Sequence, residues 1–238
     1  MRYILVLAAL IIKAQASEIH CRDFEVFVRK HEVKPYKRES GAVVHAAQRK
    51  AHCRTLYPRT ENWIDSFQKI KIAEWPYDEA FKDWTKKEKE IVLKLISQWP
   101  DVFSTYTGIA LHRAVSSITK GNPAGVLPKS KAIVLYDEFF RIKVQSRVLS
   151  HEMAHIYILN LEPDKLKSIL KKTGWDYDKN HRPVWSGKKP LKPDSIDSPS
   201  EDLANHIEEF LHQPDSLHPE IRKSLEDLLG KDFKLKEN

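Results

Sequence analysis

Two histidines four residues apart with a glutamate beside the first, His151-Glu152-Met153-Ala154-His155, hold the most concentrated chemistry in the sequence. At that spacing in a helix both imidazoles lie on one face and can be directed at one point. Two neutral imidazoles so placed are half of a tetrahedral zinc site. Glu152, one step further round, can stand beside the metal and take a proton from bound water, whose pKa zinc lowers to about 7. The chemistry expected is metal-assisted hydrolysis. Val144, Val148 and Ile158 give the helix an apolar pattern, and Ala154 leaves room for close packing. A chain with 11 histidines can hold such a pair by chance, but the flanks argue against chance, and the claim then depends on a third ligand.

The segment Ser198-Pro199-Ser200-Glu201-Asp202-Leu203-Ala204-Asn205-His206-Ile207-Glu208-Glu209-Phe210-Leu211 opens with a helix N-cap signal and continues with Leu203, Ile207 and Leu211 on one face. Glu201 is the chosen third ligand. His, His and Glu leave a fourth position for water, the open geometry of a catalytic zinc. A competing reading exists: Ser198-x-x-Glu201 is a capping box, in which the Glu201 side chain would reach back to the Ser198 N–H. Asp202, His206, Glu208 and His181 are the rival ligands.

With these two motifs the chain resembles the zincin metallopeptidases of the gluzincin type, in which a later helix supplies a Glu to the His-Glu-x-x-His helix. Ile158 and Leu161 stand where the metzincin pattern requires Gly and His. The Glu201-Asp202-Leu203-Ala204 segment and its distance from His155 look most like the catalytic domain of anthrax lethal factor and related bacterial zincins, over about residues 130–212. The resemblance implies one Zn2+ per chain on His151, His155 and Glu201, with Glu152 as general base in peptide-bond hydrolysis. Two positions depart from the family. Thermolysin-like gluzincins carry an Asp four residues after the ligand Glu to orient the first His, and here that residue is Asn205, whose amide oxygen can still accept from the ring in the same role. Lethal factor has a Tyr shortly before the ligand Glu, whereas 186–200 contain none; Tyr177 and His181 are the substitutes for stabilising the oxyanion. A secreted zinc-binding or partner-binding protein on the same scaffold, without catalysis, is the alternative, and retention of Glu152 argues against it.

The elements that must position these residues follow from the rest of the chain. Met1-Arg2, the apolar run Tyr3 to Ile12 and Ala14-Gln15-Ala16 are the three parts of a signal peptide over 1–16, with cleavage near Ala16-Ser17 and a secreted or periplasmic product. The apolar run is too short to span a bilayer. Residues 17–60 read as an N-terminal extension in which Cys21 and Cys53, the only two cysteines, pair as a disulfide. Within it, 23–28 alternates like a strand, Ser40-Gly41 marks a turn, and Ala42 to His52 reads as a helix. The net charge of +7 is too mild to indicate nucleic-acid binding, and the partner expected is a protein or peptide substrate.

Residues 61–238 are expected to form the catalytic domain, α+β and zincin-like, mostly helical with a small sheet beside the His151 helix. Trp63, Phe67, Trp75 and Trp84 read as a core stripe at helical spacing. Thr85-x-x-Glu88 starts a helix with a capping box and Pro100 stops it. Gly108 to Ile118 and Lys131 to Phe139 read as strands, with 121–125 a loop between them. A strand edge beside the metal could pair with an extended peptide, or the strands could simply cover the helix. A helix from Pro163 ends at Gly174, and 174–199 reads as a long loop forming one wall of a cleft.

Overall fold

The computed structural model describes residues 25–38, 42–55, 60–68, 81–104, 106, 108–117, 119–127, 130–230 and 233–236. The expected signal peptide, Cys21, the Ser40-Gly41 turn and Trp75 fall outside the described residues. Contacts divide the chain into two compact units, Met1–Leu56 and Tyr57–Asn238.

The first unit is a two-stranded antiparallel ribbon. β1 (Glu25–Val28), β2 (His31–Val33) and β3 (Tyr36–Lys37) run outward, and β4 (Val43–Val44), β5 (Ala47–Arg49) and β6 (His52–Thr55) return. One register holds throughout, from Glu25↔Thr55 through His31↔Arg49 to Lys37↔Val43, with no slip between pairs. Arg38 N–H donates to Ala42 O at 2.8 Å near the turn. The helix read over Ala42 to His52 is therefore wrong. Most of that stretch is exposed and presents no apolar helical stripe to a core. The outgoing strand offers it a ladder, and tertiary pairing overrides a weak propensity.

The second unit is α+β, with seven helices among the described residues. It begins with α1 (Glu61–Ile64), β7 (Phe67–Gln68), α2 (Lys86–Ser97) and α3 (Asp101–Ser104). The aromatic stripe is not one helix: Trp63 lies on the short α1, Phe67 on β7, and Trp84 precedes α2. Trp63 is nonetheless fully buried, edge-on to Trp99 at 5.7 Å, and Phe67 meets Trp84 at 4.9 Å. Thr85 and Glu88 form the expected capping box on α2.

Next come β8 (Ala110–Arg113), β9 (Ala124–Leu127) and β10 (Ala132–Leu135). The sheet order is β7-β8-β10-β9, with β7, β8 and β10 mutually parallel and β9 antiparallel at the edge. β10 is an unbroken apolar run because it is buried along its whole length. The reading of 121–125 as a turn or loop holds for 121–123, but Ala124 and Gly125 belong to β9. Ala124 and Gly125 carry little strand propensity, and what makes them a strand is the ladder offered by β10.

A 3₁₀ turn over 137–140 leads into α4 (Gln145–Ile158), which is followed by α5 (Pro163–Thr173). The hairpin β11 (Trp175–Tyr177) and β12 (Pro183–Trp185), a 3₁₀ turn over 193–196, α6 (Pro199–His212) and α7 (Pro219–Leu229) complete the unit. The stretch 174–199 is thus structured. Its hairpin is clamped by Trp175 and Trp185, 5.3 Å apart. Trp185 also covers Gly174, where a Cβ would lie 2.8 Å from the indole, so the φ of 132° is not the only reason for glycine there.

Arg113 ties sheet to helices. It is 2% exposed, bonds Glu88 Oε1 at 3.0 Å and Leu135 O at 3.1 Å, pairs with Asp137, and lies over the Phe140 ring. Burial alone would raise Glu88 and Asp137, but Thr85 and Arg113 hold the first below its ordinary pKa, and Lys82 and Arg113 the second. Carboxyls depressed in the folded state contribute stability above their unfolded pKa and lose it as pH falls through the folded one. The melting temperature should therefore drop below about pH 4, and less steeply in Glu88→Gln/Asp137→Asn. Arg113→Met should cost about 3 kcal/mol in denaturant unfolding, because both carboxylates lose their buried partner.

Candidate metal centre

The centre is built on two antiparallel helices. Arg147 of α4 meets Glu208 and Glu209 near the end of α6, His151 meets both Glu208 and Glu201, and His155 meets Glu201 and Ser200 at its start. Residues 147, 151 and 155 are one turn apart on α4. Residues 201, 205 and 208 recur at four and three on α6, so each helix turns a polar row toward the other. The opposite sides are apolar. Leu149, Met153 and Ile156 on α4, and Leu203, Ile207 and Phe210 on α6, are buried and hold the rows in place.

His151, His155 and Glu201 converge into a group that could hold a metal ion. His151 Nε2 lies 3.1 Å from His155 Nε2 and 3.2 Å from Glu201 Oε2, and His155 Nε2 lies 3.4 Å from Glu201 Oε1. A tetrahedral ion with bonds of about 2.0–2.2 Å needs donors about 3.3 Å apart. The donor set fits. The Glu201 carboxylate does not reach back to the Ser198 N–H: the Glu201 N–H donates to Ser198 Oγ at 3.1 Å, while the carboxylate turns to the imidazoles.

The remaining imidazole nitrogens are also engaged. His155 Nδ1 contacts Ser200 Oγ at 2.8 Å, and His151 Nδ1 faces Glu208 Oε2 at 3.5 Å. Such partners fix ring orientation and tautomer. Glu208, 4% exposed, also receives Arg147 at 3.2 Å and Lys192 at 2.5 Å. It takes the orienting role expected of Asn205. Asn205 instead donates to Asp194 Oδ1 at 2.8 Å and Ser195 Oγ at 3.2 Å, because the 3₁₀ turn of 193–196 lies against that part of α6. The sequence signal for Glu208 was its place seven residues after Glu201, two turns along the same face.

Other candidates lie elsewhere. Asp202 is fully buried beside His206, whose Nδ1 bonds the Asp202 carbonyl, and neither lines the cleft at the His pair. Tyr177 and His181 are also absent from its lining. Tyr177 carries Lys167 of α5 over its ring, and His181 is exposed on the hairpin turn. The cleft holds about 950 Å3. Its walls are β9, the polar row of α4 with Glu152, the segment Lys192 to Ser198, and the polar row of α6.

The electrostatics favour a cation. Burial opposes charging His151, but Glu201 and Glu208 outweigh it and lift its pKa to about 10. Hydrogen bonding to His151 and His155 holds Glu201 far below the usual carboxylate range. Burial pushes Glu208 up, and His151 and Lys192 more than reverse that, bringing it to about 2. Glu152, 8% exposed, is raised by burial and held down only in part by the two histidines.

No family model matches the chain, and no curated protein or solved structure matches it either.

Alanine at His151, His155 or Glu201 should abolish tight metal binding, measured by competition with a chromogenic chelator. Glu208→Gln should weaken it about tenfold to a hundredfold while keeping the site. Tyr177→Phe and His181→Ala should leave it unchanged.

Proposed function

We propose that this chain is an exported zinc metallopeptidase of the zincin type, similar to the gluzincins, which hydrolyses peptide bonds. The observation that carries the reading is the convergence of His151, His155 and Glu201 at metal-ligand spacing, with buried Glu152 lining the same cleft. Zinc is favoured among divalent ions by a donor set of two imidazoles and one carboxylate, and when bound it would supply Lewis acidity toward water and a carbonyl oxygen.

The protein's own groups do the rest. Glu208 and Ser200 hold the rings of His151 and His155 in orientation, and Arg147 and Lys192 hold Glu208. Glu152 accepts the proton of the attacking water and passes it to the leaving amine. Burial raises its proton affinity, which suits a group that must both take and return a proton. Among the described residues β9 pairs with β10 alone, and Ala124, Gly125 and Val126 line the cleft, so the other edge of β9 is placed to offer main-chain hydrogen bonds to an extended peptide. No helix of the described residues is long and apolar enough to cross a membrane. Export and the Cys21–Cys53 disulfide belong to the same proposal, resting on the N-terminal pattern and the cysteine count.

Glu152→Gln should retain one metal per chain and lose about a thousandfold in turnover of a peptide library. A chelator should abolish hydrolysis and added zinc restore it. Wild-type turnover by Glu152→Gln would overturn the mechanism, and a zinc-loaded wild type inert toward casein and peptide libraries would favour the non-catalytic binder.

A further inference from the structure

A second pocket, which shares no residue with the cleft at the His pair, lies between the end of α5, residues 188–191, the middle of α6 and the start of α7. It holds about 570 Å3, the size of a small-molecule site and more than a single ion fills. Thr173, His206 and Leu217 are the buried part of its lining, and Lys172, Lys188 and Lys189 are exposed around them. None of these lysines has a carboxylate partner among the described residues. Lys188 donates to Lys172 O at 3.2 Å, at the end of α5, and Lys172 donates to Ser224 Oγ at 2.7 Å. Glu220 is the one carboxylate in the lining. The surroundings are also cationic: residues 163–192 hold nine basic against three acidic residues.

The imidazoles set the ligand class. His206 is 4% exposed, and its Nδ1 lies 2.8 Å from the Asp202 carbonyl, which can only accept, so Nδ1 carries a proton. Nε2, turned away from the α6 backbone, has no partner among the described residues. In the neutral ring it accepts a hydrogen bond, and in the charged ring it donates one. His218 is the complement: its Nδ1 accepts from Glu220 N–H at 3.4 Å, which leaves Nε2 as a donor. The Ile221 N–H, in the first turn of α7, has no acceptor among the described residues, and that end of a helix favours negative charge. We propose that this pocket binds a phosphate monoester with an apolar body. Near neutrality such a group, whose second pKa is about 6, presents both P–O⁻ and P–OH, so it satisfies the lysines and an accepting Nε2 together. A carboxylate or a sulfonate can only accept. Separate ammonium groups suit phosphate oxygens as point charges, and Leu191, Leu217 and Ile221 are placed to cover the apolar body.

The test is calorimetric titration of the full chain with phenyl phosphate near pH 7. Binding should be saturable and should weaken about a hundredfold in Lys172→Gln/Lys189→Gln, at about tenfold for each charged hydrogen bond lost. Both lysines are far from the His pair in the lining, so an anion held there instead would bind this variant as it binds the wild type. His206→Phe should also weaken binding, and if that variant misfolds, the exposed lysines still carry the test. Benzenesulfonate, phenol and inorganic phosphate should each bind about tenfold more weakly, lacking the P–OH, the charge and the apolar body in turn. The proposal is overturned by no saturable binding below about 10 mM, by wild-type affinity in the lysine variant, or by any of these comparison ligands binding as tightly as phenyl phosphate.

Discussion

Everything at the candidate centre depends on the antiparallel contact of α4 with α6. Two helices that each carried only an apolar stripe would pack, but they would present no donors to a common point. Here the apolar sides are buried, which fixes the pair, and the polar rows face each other across a seam open to the cleft. Because the helices run in opposite directions, the start of α6 lies against the end of α4. That places Glu201, in the first turn of α6, against His155, near the last turn of α4.

The seam is balanced in charge along its length. Toward the start of α4, Arg147 is matched by Glu208 and Glu209, and Lys192 adds a second cation to Glu208. Toward the end of α4, Glu201 faces His151 and His155, the group that could hold a metal ion. Glu208 joins the two ends, since one carboxylate holds the structural cations and faces His151. The sheet contributes through its edge, because the antiparallel β9 lines the cleft whereas β10 is sealed in the core. Arg113 supports this from behind, holding the sheet to α2 and to the turn that leads into α4.

The two units solve the problem of stability differently. The larger one has a core that includes two fully buried tryptophans, while the ribbon relies on an unbroken ladder of register.

The sequence by itself determined the local elements of the site: the His151–His155 helix, the helix beginning at Ser198, the capping box at Thr85 and the end of α5 at Gly174. Each of these depends on residues within a turn or two, so spacing and capping chemistry suffice. Tertiary structure decided the rest. Whether Glu201 capped its helix or faced the imidazoles depended on what lay across from it. Glu208 replaced Asn205 because the 193–196 turn lies against Asn205. Tyr177 lies half-buried against α5, away from the His pair, because its hairpin packs there. β9 and the returning arm of the ribbon became strands only because a partner strand offered them hydrogen bonds, and no residue count within either segment encodes that partner.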